Sequence, residues 1–109
     1  MTENIVSRGS FDTPDNEFIT GEMLFAFPTS LTFELDVVEC PSFLQVFLFS
    51  IDFTGTSPLT QIRIEGPQSV VQTFDLAEGG KYRARIESGG GQVSGTYVVK
   101  STMPLAIRP

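Results

Sequence analysis

Apolar and polar residues alternate with a period of two along most of the chain beyond residue 22. In the run 31–38, each odd-numbered residue from Leu31 to Val37 is apolar, and polar residues such as Thr32 and Glu34 lie between them. This alternation is typical of a β-strand that buries one face. The same pattern predicts further strands over residues 60–65, 70–76, 81–87 and 92–100. The side chains predicted to face inward in these strands are Ile62, Ile64, Phe74, Leu76, Tyr82, Ala84, Ile86, Val93, Tyr97 and Val99.

The run from Phe43 to Phe53 differs because it is apolar on both faces. One face carries Phe43, Phe47, Phe49, Ile51 and Phe53, and the other carries Leu44, Val46 and Leu48. A strand of this kind must be covered on both sides. We therefore expect Leu44, Val46 and Leu48 to form an interface with a partner. The alternative is a central strand that the N-terminal segment covers.

Turn-forming residues such as Gly66-Pro67 separate the predicted strands at short intervals, and no segment has helical periodicity. Seven or eight short strands with this spacing predict an all-β fold. We expect an antiparallel β-sandwich of the jelly-roll or Ig-like type, with a small β-barrel as the alternative.

The first 22 residues are polar and weakly periodic, with short strands predicted only near Ile5 and Phe18. This pattern predicts an N-terminal extended arm at residues 1–22 and a β-sandwich domain at residues 23–109. Gly95 interrupts one predicted strand and indicates a bulge. A last short segment is predicted at Met103–Ile107.

Net charge and its distribution narrow the classes of partner. The sequence has 7 basic and 13 acidic residues and a net charge of −6, which argues against binding to nucleic acid. Residues 1–60 contain one base and nine acids, whereas residues 61–109 contain six bases and four acids. Such opposite charges suit self-association through head-to-tail contacts, or contacts with another structural protein.

Membrane and secretion signals are missing from the sequence. No apolar run approaches the roughly 18 residues of a membrane-spanning helix. The N-terminal residues Met1–Ile5 lack the basic start and the apolar core of a secretory signal peptide. We therefore expect no membrane partner, synthesis in the cytoplasm, and incorporation into a virion or another assembly.

Catalytic chemistry has little support in the sequence. There is no histidine, which removes the commonest general base, and there is a single cysteine, Cys40. One cysteine cannot form an intramolecular disulfide, which fits a reducing compartment. Glu34 and Asp36 share the polar face of one predicted strand, where a carboxylate pair is typical of a solvated surface. We predict that the protein is not an enzyme and that Cys40 has a structural role.

Residues 12–17 form the one oxygen-rich segment, and Asp12, Asp15, Asn16 and Glu17 are candidate calcium ligands. Calcium takes six to eight oxygen ligands, but the spacing here does not match an EF-hand loop. An ordinary turn explains the same residues. We predict no cofactor, with calcium at this segment as the alternative.

Basic side chains cluster on one predicted strand. Lys81, Arg83 and Arg85 alternate with inward residues and would form a basic face. This face would suit an acidic partner, and we include Arg83 and Arg85 in the predicted interface. The alternative is a row of solvated charges that protects the sheet against aggregation.

The segment from about Leu31 to Lys100 resembles bacterial pre-peptidase C-terminal modules and related jelly-roll or Ig-like modules. The resemblance is carried by Leu31-Thr32-Phe33-Glu34-Leu35, Phe74-Asp75-Leu76, Gly80-Lys81-Tyr82 and Gly95-Thr96-Tyr97-Val98-Val99. The two Gly-x-Tyr motifs look like the final hairpin of those modules. The resemblance implies a non-catalytic accessory module. Such modules are usually secreted appendages of larger enzymes, whereas this chain is short and shows no signal.

These observations predict a non-enzymatic structural or interaction protein, most directly a subunit or decoration protein of a larger assembly such as a virion. The alternative is an accessory module of the pre-peptidase C-terminal type that binds carbohydrate or a cell surface. Carbohydrate sites usually present exposed aromatic rings. Here there is no tryptophan, and both tyrosines, Tyr82 and Tyr97, are predicted to face inward.

Overall fold

The computed structural model describes residues 4–52 and 55–103, and the regular secondary structure of these ranges is entirely β-strand. The strands are β1 (Asn4–Thr13), β2 (Asn16–Phe18), β3 (Met23–Phe25), β4 (Thr29–Glu39), β5 (Phe43–Asp52), β6 (Gly55–Glu65), β7 (Gln68–Leu76), β8 (Gly80–Ser88) and β9 (Val93–Ser101). The part of the chain that is described contains no helix with the length and apolar character needed to span a membrane.

The strands form two antiparallel sheets that pack face to face. The first sheet has the order β1-β9-β4-β7, and the second has the order β2-β8-β5-β6, with β3 also paired to β8. Because β2 and β3 pair with different parts of β8, they share one strand position. The eight positions have the order of a jelly roll, a double-sheet architecture built from two Greek keys. The prediction of an all-β antiparallel sandwich is confirmed.

The core lies between the sheets and is filled by the inward residues of each alternating strand. Leu31, Ile86 and Val99 are each 0% exposed, and Tyr97 is 7% exposed. Phe33 packs edge-on against Phe74, with 6.0 Å between the ring centroids. Full burial of a large aliphatic or aromatic side chain stabilises a fold by roughly 1.5–3 kcal/mol, so this inward set accounts for the formation of the two layers.

Within the described residues, segment 4–22 belongs to the two sheets and does not form a separate arm, which corrects the predicted boundary at residue 22. β1 pairs with β9 along nearly its whole length, and β2 pairs with β8. The alternation of β1 is weak because three consecutive residues, Arg8, Gly9 and Ser10, are exposed; Gly9 lies opposite Tyr97 in the register. A Cβ atom at Gly9 would lie 2.9 Å from the Tyr97 hydroxyl, so the missing side chain leaves room for the ring.

The two Gly-x-Tyr strands do not form a hairpin. β8 belongs to the second sheet and β9 to the first, so the turn after Ser88 crosses from one sheet to the other. The resemblance implies a final hairpin of these two strands, and this prediction is therefore wrong. This crossing is part of the jelly-roll order.

Gly95 does lie at a bulge, although the extra residue belongs to the neighbouring strand. The register between β4 and β9 shifts between Val37 and Glu39, and Val37 lies opposite Gly95. Val38 is the extra residue, and it is 66% exposed. The predicted segment Met103–Ile107 lies outside the described residues except for Met103, and Phe53 also lies outside them.

Candidate interaction surface

The outer face of the second sheet places aromatic rings and guanidinium groups next to one another. The alternation of β5, β6 and β8 turns Leu44, Ile62 and Ile86 into the core and leaves their sequence neighbours outside. The register then brings the outer residues of β2, β8, β5 and β6 onto one surface. We call this surface the Arg–Phe face and define it as Phe18, Phe43, Phe47, Phe49, Arg63, Arg83 and Arg85.

Arg83 stacks on Phe18 across the pair formed by β2 and β8. Its guanidinium carbon lies 3.7 Å from the centroid of the Phe18 ring. The Arg83 Nε donates a hydrogen bond to the Thr20 carbonyl oxygen at 3.4 Å. This geometry is that of a cation–π contact, and Phe18 remains 44% exposed beside it.

Arg85 covers a second ring of the same face. Its guanidinium carbon lies 5.0 Å from the Phe49 ring centroid, and its Nη2 donates to Glu87 Oε1 at 3.2 Å. Phe49 is only 9% exposed although it does not belong to the core cluster, because Arg85 and the Phe47 ring shield it from outside. The Arg85 Nε is buried and has no hydrogen-bond partner within the described residues.

Arg63 repeats the arrangement at the β6 edge. Its guanidinium carbon lies 3.8 Å from the Phe43 ring centroid, and its Nε donates to Glu65 Oε2 at 3.0 Å. The rings thus hold the planar guanidinium groups in defined orientations. A side chain that is already ordered loses less conformational entropy when a partner binds, so this face is pre-organised for binding.

The predicted interface residues fall on opposite sides of the second sheet. Leu44, Val46 and Leu48 are 0%, 2% and 2% exposed and lie in the core between the sheets. The prediction that they contact a partner is therefore wrong. Arg83 and Arg85, in contrast, lie on the outer Arg–Phe face.

The sequence pattern did not indicate that phenylalanine rings such as Phe47 and Phe49 belong to this face. Both faces of β5 are apolar, so alternation alone does not indicate which one is covered. The informative signal is the spacing of Phe47 and Phe49 on one strand and of Arg83 and Arg85 on another. Its meaning depends on the antiparallel pairing of β5 with β8, which is a long-range feature of the fold.

The four candidate calcium ligands lie at the end of β1, in the turn after it and in β2, and each makes a hydrogen bond there. Asp12 Oδ1 accepts a hydrogen bond from Gln92, and Glu17 Oε1 accepts one from the Asp12 backbone N–H at 3.3 Å. Asp15 Oδ1 accepts one from Asn16 Nδ2 at 3.4 Å. Across residues 4–52 and 55–103, no group of three or more His, Cys, Asp or Glu residues is arranged to hold a metal ion.

An open cleft of about 550 Å³ lies between the edge strands β6 and β7. Apolar side chains such as Leu76 and Tyr82 and polar ones such as Thr60 and Thr73 line it. The Tyr82 hydroxyl donates to the Glu78 carbonyl oxygen at 2.7 Å. Burial raises the pKa of Tyr82 above its usual value of 10.0, and the nearby charge of Glu78 raises it further. The tyrosine is therefore a neutral hydrogen-bond donor at physiological pH.

The sequence matches no known protein family and no curated protein. Among solved structures, the chain is similar to a protein of the Bacillus endospore appendages, described as a family of disulfide-linked pili. The TM-score is 0.65 at 14% identity, over 97% of this chain and 93% of the other. It is also similar to part of a chain of infectious bursal disease virus, Gx strain, with a TM-score of 0.54 and 12% identity. That match covers 99% of this chain and 34% of the viral chain.

At these sequence identities, the similarity establishes the fold and nothing further about function. The chain is a small antiparallel β-sandwich of the jelly-roll type. The comparisons do not confirm a relationship to pre-peptidase C-terminal modules.

Proposed function

We propose that this protein is a non-enzymatic structural subunit that binds other protein chains. The partner that we propose first is a second copy of the same chain. The observation that carries the proposal is the Arg–Phe face. Phenylalanine and arginine are enriched in protein interfaces, where large, ordered side chains supply most of the binding energy. On this face Arg83 and Phe18 are both ordered and accessible.

Two further observations support the subunit role. The sequence has no histidine, so the commonest general base of enzymes is missing. The proteins with a similar fold come from a pilus and a virus, which is support by analogy of fold. On this proposal the chain is made in the cytoplasm and becomes a subunit or decoration protein of an assembly such as a virion. It needs no metal cofactor.

The test is to measure the association state of the purified chain over a range of concentrations by light scattering and sedimentation velocity. We expect the wild type to associate as its concentration rises. The double variant Arg83→Gln/Arg85→Gln should weaken association by at least about tenfold, as loss of central interface residues does. Phe27→Ser is the matched control, because Phe27 is 62% exposed but lies outside the Arg–Phe face.

A wild-type chain that remains monomeric at every concentration would contradict self-association. Association that is equally strong in the wild type and in the double arginine variant would show that the Arg–Phe face is not the interface. A loss of association in the Phe27→Ser control alone would also count against the proposal.

The cleft between β6 and β7 supports a second candidate, an accessory module that binds carbohydrate or another small ligand. Its volume of about 550 Å³ lies within the usual range of ligand sites, and its lining combines apolar and polar groups. Binding on a glycan array that Thr60→Val and Thr73→Val remove would favour this function. If the protein binds no glycan on the array, carbohydrate binding is ruled out as the function of this cleft.

A further inference from the structure

The outer face of the first sheet carries the opposite charge to the Arg–Phe face. Its acidic residues lie on the polar positions of β1, β4 and β7, and we call them the acidic face: Asp12, Glu34, Asp36, Glu39 and Asp75. Among the described residues, the bases on the same surface are Arg8 and Lys100. Among the described side chains, the outer face of the second sheet has the reverse balance, with Arg63, Lys81, Arg83 and Arg85 against Glu65 and Glu87.

Neighbouring side chains hold the carboxylates of the acidic face in place. Lys100 Nζ lies 2.8 Å from Glu34 Oε2, and Ser69 Oγ donates to Asp36 Oδ1 at 3.1 Å. Ser30 Oγ donates to Asp75 Oδ1 at 2.6 Å. The acidic groups are therefore ordered, as the guanidinium groups on the other side of the molecule are.

We infer that the Arg–Phe face of one copy binds the acidic face of a second copy. This inference rests on the proposed function and names the partner surface. Its basis is charge complementarity between two ordered surfaces of the same chain. A contact between two Arg–Phe faces would instead place like charges opposite each other.

The spacing of the charges on the two faces also matches. Arg83 and Arg85 occupy alternate positions of β8, and Glu34 and Asp36 occupy alternate positions of β4. Residues two apart on a strand are separated by about 6.6–6.8 Å in either strand. Both strands have neighbours on each side in their sheets. Each guanidinium can therefore meet one carboxylate when the two strands lie along each other.

The contact is heterologous, because it joins two different surfaces. The acidic and Arg–Phe faces look in opposite directions, since they are the two outer sides of one sandwich. Two copies joined in this way therefore have one unoccupied face at each end of the pair, and further copies can bind to these faces. A heterologous contact that does not close on itself produces an open filament.

The size of the contact predicts that a single junction is weak. Four strands about 4.8 Å apart and about eight residues long present a flat area on the order of 500 Å². Specific interfaces bury about 800 Å² per partner, and transient ones less. Association should therefore depend on concentration, and it should weaken by at least about tenfold between low and high ionic strength.

The test uses two variants that each neutralise one face. The first is Arg83→Gln/Arg85→Gln, in which the acidic face is intact. The second is Glu34→Gln/Asp36→Asn, in which the Arg–Phe face is intact. Circular dichroism and thermal melting are used to check that both variants fold. Thr96→Lys, an exposed substitution on β9 opposite Asp36, is a second way of disrupting the acidic face.

We expect each variant alone to associate at least about tenfold more weakly than the wild type, because each lacks one half of the junction. An equimolar mixture of the two should form heterodimers that do not grow further, because only one intact pair of faces remains. Sedimentation velocity distinguishes a heterodimer from monomers and from larger species.

The possible results separate this inference from the proposed function. If the acidic-face variant and Thr96→Lys associate like the wild type while the arginine variant does not, the inference is wrong and the proposed interface stands. A mixture that forms no heterodimer also overturns the inference. If the arginine variant associates like the wild type, the Arg–Phe face is not the interface, and both the inference and the observation that carries the proposed function are overturned.

Discussion

The guanidinium carbon of Arg83 lies 3.7 Å from the centroid of the Phe18 ring, although Phe18 is directly opposite Arg85 in the strand register. The stacked pair is therefore diagonal across β2 and β8. β2 has only three residues, so its attachment depends strongly on the few contacts around it. The stacking of Arg83 on Phe18 contributes both to the order of this short strand and to the surface that it presents.

The first prediction concerns this pair. Phe18→Ala should lower the free energy of unfolding by about 1 kcal/mol, because an exposed cation–π contact contributes about 0.5–1 kcal/mol and some apolar contact is lost as well. Urea denaturation measures the change. Phe27→Ala is the control, since Phe27 is more exposed, at 62% against 44%. Equal effects at the two positions would show that the stacking contributes nothing specific.

The second prediction follows from the two sides of β5. Leu48→Ala should lower the free energy of unfolding by about 2–5 kcal/mol, because Leu48 is 2% exposed and its truncation leaves a cavity in the core. Phe47→Ala, at the next position on the outer face, should have a smaller effect on unfolding. Thermal and urea denaturation of both variants give the comparison. A Leu48→Ala variant as stable as the wild type would contradict the placement of Leu48 in the core.

The features of this structure that could be predicted are those that depend on the local alternation of apolar and polar residues. The inward residues of β4, such as Leu31 and Phe33, were identifiable because their strand has one polar face. Local patterns also revealed the turns and the sandwich class. They could not show that β8 and β9 lie in different sheets. The sheet to which each strand belongs is decided by pairing with strands far away in the chain.

The candidate site was predicted only in part for the same reason. Arg83 and Arg85 were identifiable as a basic face, since they alternate with inward residues. The sequence does not indicate that Phe18 belongs to this face, because β2 is too short to show a period. The interface predicted at Leu44 is wrong because the Phe43 face of β5 is equally apolar, and only the fold distinguishes the two faces.

The third prediction concerns the tight contact between β9 and the bulge of β4. A Cβ atom at Gly95 would lie 2.2 Å from the Asp36 carbonyl oxygen and 2.9 Å from Phe11 Cζ. The backbone oxygen cannot move without disturbing the pairing of the two strands. Gly95→Ala should therefore destabilise the protein by about 1–3 kcal/mol or more, as overpacking of a core does.

Gly21→Ala provides the matched control for this substitution. Apart from Gly21 and its two chain neighbours, no described residue has a heavy atom within 4 Å of the position that a Cβ atom would take at Gly21. Urea denaturation should therefore give nearly the same stability for Gly21→Ala as for the wild type. A Gly95→Ala variant as stable as the control would mean that the β4 bulge can shift to accept a methyl group.

The fourth prediction is a dependence of stability on alkaline pH through Tyr82. Burial, and secondly the charge of Glu78, raise the pKa of Tyr82 above 10.0 in the folded protein. The unfolded chain, with an ordinary tyrosine pKa, loses this proton at a lower pH than the folded chain does. The contribution of Tyr82 to stability is therefore complete below about pH 10 and is lost as the pH rises through the folded-state pKa.

Comparison with Tyr82→Phe isolates this effect. At about pH 7 the variant should be less stable by about 0.5–1.5 kcal/mol, because it lacks the hydrogen bond to the Glu78 carbonyl oxygen. The difference between wild type and variant should then shrink as the pH approaches about 11. Phe74→Leu, in the same cleft and without a titratable group, should show a difference that does not change with pH. A gap between wild type and Tyr82→Phe that stays constant over this range would show that the Tyr82 hydroxyl titrates alike in the folded and unfolded chains.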